Sequence, residues 1–348
     1  MTTRITIRKP DDWHLHVRDG EMLKAVLPFT AKNFGRAILM PNLIPPVRTT
    51  ADGKAYRERV MAAVPKGSTF KPLITCYLTD DTDPDDVERG FRDGLFTGVK
   101  LYPANATTNS AAGVTDYGKV MRVLERMEKI DMPFLMHGEV TDPDVDVFDR
   151  EKAFIDRNLS KWTKQFPGLR FILEHLSSKD GVDYVKSAAP QVGGTITPYH
   201  MVLTRNDWFG HGLKPYMYVM PVIKTARDRE ALRKAATSGA SCYFLGTDSA
   251  PHPVARKLSV NGIPGLFNAP VAIASYARVF EEEGALDKLE AFASLNGPRH
   301  YKLPPNSETI TLEKSPWTAP DEVKVEGPDE KALVYRGGET IEWRVVEN

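Results

Sequence analysis

A single (β/α)8 TIM barrel, an α/β fold, is what this sequence predicts, with a short N-terminal strand and a small C-terminal β appendage. Three observations predict it. Eight short runs recur along the chain, most of them continuously apolar rather than alternating, as in parallel strands covered on both faces. Stretches with helical spacing lie between them. The length, 348 residues, suits one barrel with an addition, since α/β barrels of roughly 250 residues or more are single domains. A doubly wound open sheet would satisfy the same alternation and is the rival reading.

Taken in order, residues 4–8 (RITIR) alternate and read as a short peripheral strand. The barrel runs follow: 12–18 (DWHLHVR), 36–40 (RAILM), 73–78 (LITCYL), 98–102 (GVKLY, closed by Pro103), 134–137 (FLMH), 170–175 (RFILEH), 195–198 (TITP) and 242–246 (CYFLG). Between them, residues 118–130 place Val120, Val123, Leu124 and Met127 on one stripe, with charges opposite, which is an amphipathic helix. Residues 147–166 and 226–238 also read as helices, and a helical pattern returns around 286–295. Beyond it the chain becomes rich in Pro and β-formers, and 309–313, 322–325, 332–335 and 340–345 read as strands of the appendage. The expected organisation is one domain over 1–348, with the barrel core over about 12–300 and the appendage over about 306–348.

Composition narrows the function classes. The 46 Lys+Arg balance 46 Asp+Glu, which excludes nucleic-acid binding through an overall positive field. At 41% apolar the chain is far from the signature of disorder. No run approaches the ~20 apolar residues of a membrane span, and the N-terminus, MTTRITIRKPDDWH, lacks the apolar stretch of a secretory signal. Cys76 and Cys242 sit far apart in apolar runs and read as buried free thiols, which suits a reducing cytoplasm. The expectation is a soluble cytoplasmic protein with no membrane and no nucleic-acid partner.

In a barrel of this kind, chemistry lies at the C-terminal ends of the strands. Those ends carry His14, His16 and Arg18, then Asn42, Lys100, His137, His175 and Asp248. Residues two apart on a strand point to the same side, so His14 and His16 can reach one metal ion while Leu15 faces away. Lys100 is the odd member, because a bare charge inside VKLYP is costly. It is either an ion-paired lysine or one carboxylated by carbon dioxide, whose anionic carbamate could bridge two divalent metals. His200, His211 and His300 read as structural, with His200 the nearest to an exception. Glu139 and Glu174 flank ligand histidines and read either as their supports or as structural ion pairs. There is no P-loop, CxxC, HExxH or nucleophile elbow.

Six segments carry a resemblance: DWHLHVRD (12–19), MPNL (40–43), GVKLYPANATTNS (98–110), MHGEV (136–140), LEHLS (173–177) and GTDSAPH (246–252). With these the chain closely resembles the dihydroorotases of the single-domain bacterial type, within the amidohydrolase superfamily, over its whole length. The resemblance implies a hydrolase that reversibly closes N-carbamoyl-L-aspartate to L-dihydroorotate plus water, in UMP biosynthesis. It implies two Zn2+ per subunit: His14, His16 and Asp248 on the more buried ion, His137 and His175 on the more exposed one, and N6-carboxylated Lys100 bridging them. A hydroxide shared by the metals would attack, with Asp248 as catalytic acid and base. Arg18, Asn42 and His252 would clamp the substrate carboxylate, with His137, Met220 and Pro264 also at the substrate and Thr107 and Thr108 closing over it from the 104–113 loop. The family also implies a homodimer.

Two positions depart from the family pattern. Met220 stands where a leucine supplies a backbone contact, and Pro264 stands where a small residue usually does; proline offers no N–H there, only its carbonyl. Two rivals stay open at this point. Another cyclic-amide hydrolase, of hydantoinase, dihydropyrimidinase or allantoinase type, would use the same metal centre, but a carboxylate-free ring would leave Arg18, Asn42 and His252 unpaired. A metal-free binding subunit would have lost ligand residues, whereas every ligand position is filled.

Overall fold

The computed structural model describes residues 3–327 and 331–346; residues 1–2, 328–330 and 347–348 of the expected domain lie outside the described residues. In chain order the strands are β1 (Arg4–Arg8), β2 (Asp11–Leu15), β3 (Arg36–Leu39), β4 (Lys71–Tyr77), β5 (Phe96–Leu101), β6 (Phe134–Met136), β7 (Phe171–Leu173), β8 (Val192–Ile196) and β9 (Tyr243–Leu245). Strands β2 to β9 form one eight-stranded sheet in sequence order, and each neighbouring pair is parallel. The Asp248 amide donates to the His14 carbonyl at 2.9 Å and the His16 amide to Ser249 at 3.0 Å. These bonds join the last strand to the first. Unbroken sequential order and a sealed seam exclude the doubly wound sheet, in which strand order must reverse.

All eight barrel runs are strands, and their alternation explains the two cores. Ile38, Leu135, Ile172 and Phe244 point inward and pack with Trp13 and Tyr301 as a plug in the barrel. Their neighbours Ala37, Leu39, Phe134, Met136, Phe171, Leu173, Tyr243 and Leu245 face out to the helices. Trp13 stacks on Tyr301 at 4.3 Å, and a Cβ on Gly297 would meet the Trp13 indole at 1.8 Å, so only glycine fits there. Strand β2 breaks the alternation. Trp13 faces the plug and Leu15 the outer core, though they are two residues apart. The pairing of β2 with β3 slips between Asp12 and Leu15, and the slip turns His14 into the barrel mouth.

Boundaries differ where glycine or proline masks the pattern. Strand β8 begins at Val192 rather than 195, because Gly193 and Gly194 carry no apolar signal. Both are required by close packing: a Cβ would come within 2.7 Å of Phe244 or 2.6 Å of Leu176. Pro198 does not end the strand but opens the helix Pro198–Val202. The 118–130 pattern is a 3-10 turn, Tyr117–Val120, followed by the helix Met121–Lys129. The 147–166 helix starts later, at Arg150, and widens over Ile155–Leu159 before Ser160–Gln165. The 226–238 helix is Ala226–Thr237, opened by a Thr225–Asp228 capping box. The 286–295 pattern is a short turn and one wide turn leading into the helix Asn296–Tyr301.

The appendage contains β10 (Thr309–Thr318), β11 (Glu322–Lys324), β12 (Lys331–Leu333) and β13 (Thr340–Val346). Strand β10 pairs antiparallel with both β1 and β13, so the N-terminal strand is part of the appendage sheet. Trp343 on β13 is fully buried, and its Nε1–H donates to Glu281 Oε2 at 3.0 Å on the helix Ala272–Glu282. Strand β12 stops at Leu333, two residues into the expected 332–335 run. Val334 then bridges to Phe267, and the Tyr335 amide donates to the Phe267 carbonyl at 2.8 Å. Among the described residues no helix is long and apolar enough to cross a membrane. Cys76 and Cys242 are free and buried.

Candidate active site

His14 and Lys100 lie within β2 and β5; the other functional side chains are delivered just past the strand ends, where the backbone leaves the regular ladder. Arg18 (φ 60°), His175 (φ 42°) and Asp248 (φ 43°) all sit in the left-handed region. Non-glycine residues there are uncommon and are held by surrounding structure, typically at functional sites. Here the holding bonds are visible. Asp12 accepts from the His14 amide at 3.2 Å and the Thr247 amide at 2.8 Å, and from the Thr247 hydroxyl. The Thr195 hydroxyl accepts from the His175 amide at 2.6 Å.

A cavity opens at this end of the barrel, and every expected site residue except Lys100 and His252 lines it. The ligand atoms of His14, His16 and Asp248 all lie within 4.8 Å of one another. His14 Nε2 is 3.3 Å from His16 Nε2, and Asp248 Oδ1 is 3.3 Å and 3.1 Å from those two atoms. His137 Nδ1 and His175 Nε2 face each other at 3.2 Å. Lys100 lies beneath, fully buried, its Nζ 5.2 Å from the Tyr102 ring centroid and without a hydrogen-bond partner. Facing imidazole nitrogens beside a carboxylate, over a buried nitrogen with nothing to bind, fit divalent metals better than they fit one another.

Two carboxylates orient the imidazoles. Glu174 bonds His14 Nδ1 and itself accepts from the Thr195 hydroxyl at 3.0 Å. Glu139 bonds His137 Nε2 at 2.8 Å. Each leaves the other ring nitrogen of its histidine facing the cavity side, the arrangement that support of a metal ligand requires. Tyr199, which carried no signal in the sequence, donates from its hydroxyl to Asp248 Oδ2. Tyr102, Ala250 and Gly265 complete the lining and were likewise not singled out from the sequence.

Electrostatics follow from burial. Burial lowers His14, but Glu174 and Asp248 more than offset it and its pKa is raised. Burial pushes His16 down to about 3, its bond to Asp248 offsetting only part of the shift. Burial works against the Asp248 carboxylate too, yet hydrogen bonds from His14 and His16 hold its pKa well below the usual range. Burial brings Lys100 down to about 8, with Glu174 and Asp248 opposing. Arg18 falls to about 10 through burial and stays a cation at neutral pH.

The clamp residues are arranged around Arg18. Its Nε donates to the Pro251 carbonyl at 3.0 Å, and Nη2 lies 2.8 Å from His252 Nε2. His252 therefore stands behind Arg18 rather than in the cavity wall. The same nitrogen is 2.9 Å from the Pro264 carbonyl. One ring nitrogen cannot accept from Arg18 and donate to Pro264 at once, and a carboxylate bound to Arg18 would remove the conflict. The loop is closed in this structure. Asn42 Nδ2 donates to the Thr108 carbonyl at 2.9 Å, Asn109 Nδ2 to the Asn42 carbonyl at 3.0 Å, and Thr108 Oγ1 to the Pro264 carbonyl at 3.1 Å. Pro264, which has no N–H, thus contributes its carbonyl alone. Of the remaining histidines, His200 is a buried structural group bonded to Thr197 at 3.0 Å and the Pro221 carbonyl at 3.1 Å. His300 packs beside Phe244, and His211 is exposed.

The profile of the amidohydrolase family matches residues 11–328. The chain is 54% identical to a dihydroorotase of Erythrobacter litoralis over 345 residues, 99% of this chain and all of that one. Among solved structures it is similar to a dihydroorotase of Saccharomyces cerevisiae in complex with 5-fluoroorotic acid, with a TM-score of 0.91 and 33% identity over 99% of both chains. It is also similar to a dihydroorotase of Campylobacter jejuni, with a TM-score of 0.90 and 33% identity over 100% of this chain and 99% of that one.

Proposed function

Because the chain belongs to the amidohydrolase family, and within it to the dihydroorotases, we propose that the residues gathered at the barrel mouth carry the reversible closure of N-carbamoyl-L-aspartate to L-dihydroorotate. The observation that carries the reading is the meeting of a metal donor set with a half-buried arginine, hydrogen-bonded to no carboxylate among the described residues, in one cavity. His14, His16 and Asp248 would hold one ion, and His137 and His175 the second. Lys100 would join them as a carbamate. Burial favours the neutral amine of Lys100, the form that adds to carbon dioxide. Zn2+ is the default for such donors. When bound, the metals supply Lewis acidity, lowering the pKa of the attacking water and polarising the ring carbonyl.

The chain's own groups do the rest. Arg18 offers its fork to the ring carboxylate, with His252 behind it. Asn42, Met220 and the Pro264 carbonyl shape the walls. Thr107 and Thr108 seal the cavity, which excludes water and strengthens each polar contact. In hydrolysis, Asp248 takes a proton from the attacking water and passes it to the amide nitrogen as the carbon–nitrogen bond breaks. Ring closure runs the same transfers in reverse. Glu174, Glu139 and Tyr199 hold His14, His137 and Asp248 in register for this. The chain is read as a cytoplasmic homodimer by its family.

The test is hydrolysis of L-dihydroorotate beside hydantoin and dihydrouracil, with the protein before and after metal removal. Metal-dependent turnover of dihydroorotate alone is the expected result. Turnover of the uncharged rings instead would keep the metal donors and overturn the roles given to Arg18, Asn42 and His252.

A further inference from the structure

Lys257 belongs neither to the donor set nor to the clamp. It ends the short helix Val254–Lys257, which follows His252 closely, and its side chain turns inward until only 4% is exposed. Its Nζ donates to the Tyr218 carbonyl at 2.6 Å and to the Ile263 carbonyl at 3.0 Å. Among the described residues no carboxylate pairs with it. Burial lowers its pKa to about 7, and two backbone carbonyls, rather than a counter-charge, hold its amino group in place.

Its two acceptors are placed tellingly. Tyr218 lies two residues before Met220, and Ile263 lies one before Pro264; both Met220 and Pro264 line the catalytic cavity. The same Tyr218 carbonyl also accepts from the Gly265 amide at 3.0 Å. The wall between is made of backbone: at Gly265 (φ 139°) an added Cβ would come within 2.8 Å of Ala250. Behind the wall is a second, small space bordered by Lys257, His252, Ala250 and Gly265. Arg18, on the cavity side, also has no hydrogen-bonded carboxylate; its contacts are Pro251, His16 and His252.

We propose that Lys257 is a positioning residue for substrate binding. Its amino group fastens residues 218–220 and 263–265 into one rigid wall, and so fixes the place of Met220 and the Pro264 carbonyl at the substrate. The proposal deepens the reading of the site given above and rests on it. A plain structural staple would share the hydrogen bonds but would not act on substrate affinity.

The experiment compares wild type with Lys257→Met, which keeps the stem and removes the amino group that makes both bonds. It uses dihydroorotate kinetics and hydrogen–deuterium exchange on the metal-loaded enzyme. The expected result is a KM raised about 10- to 100-fold with kcat within about threefold. Faster exchange should be confined to peptides covering 215–222 and 261–267. An unchanged KM, a loss in kcat alone, or faster exchange throughout the barrel would overturn the proposal. If Lys257→Met does not fold, Lys257→Gln is judged by the same criteria. A wild-type protein that leaves dihydroorotate untouched would sink the underlying reading instead, and exchange alone would then decide whether Lys257 fastens the wall.

Discussion

Lys100 concentrates the residue-scale argument. Its type and its apolar run showed in the sequence that a bare ammonium is out of place, and the structure leaves its nitrogen buried and unpartnered. With 13C-bicarbonate, the metal-loaded protein should show a carbamate carbon resonance that Lys100→Met lacks, and that variant should lose more than about 1000-fold in kcat. A variant with full activity, or a wild type without the resonance, removes the carbamate from the account. Arg18 gives a second prediction at this scale. Arg18→Lys keeps the charge and loses the fork, so KM for dihydroorotate should rise about 10- to 100-fold while kcat changes less. The candidate ligand residues were legible because metal chemistry needs particular side chains at particular strand ends. Tyr199 and Thr195 were not, because a hydroxyl that orients a ligand group has no spacing of its own and is identified by geometry alone.

At the scale of elements, eight strands were readable because most are apolar on both faces, while the edges blurred where packing overrode composition. Gly193 and Gly194 lie inside β8 because Phe244 and Leu176 press against them, an interaction that no local pattern records. The slip in β2 was equally hidden, although it aims His14. Elements also carry a pH dependence. Burial lowers His200 and His300, each to about 4, from an ordinary 6.5. Between pH 6.5 and about 4 the unfolded chain binds these protons and the folded chain does not, so folding stability falls as pH falls through that window. The loss is at most about 3 kcal/mol for each residue. Thermal unfolding of metal-free protein should therefore soften from pH 6.5 down to 4, and less so in His200→Asn or His300→Asn. Equal slopes in wild type and variants would contradict it. The closed loop adds a further expectation: Thr108→Val loses the bond to Pro264 and should lower kcat/KM about 10-fold with little change in melting temperature.

For the whole molecule the question is whether barrel and appendage are one cooperative unit. The sequence marked the appendage by its shift to Pro and β-formers but gave no sign that β1 would return to it from the other end of the chain. That pairing joins the two chain ends in one sheet, β1–β10–β13. The appendage is fastened to the barrel at two places among others. Trp343 and Lys314 both bond Glu281 on the helix Ala272–Glu282, and Val334 and Tyr335 bridge to Phe267. The second fastening matters for chemistry, because Phe267 closes the segment that carries His252, Lys257 and Pro264. Trp343→Ala would open a cavity at the first fastening and cost about 3–5 kcal/mol. If appendage and barrel are one unit, the variant should melt in a single transition at lower temperature, with loss of dihydroorotate hydrolysis and loss of helical signal superimposing. If the appendage instead melts first while activity persists, the site is independent of it, and the support attributed to Phe267 must come from the barrel alone.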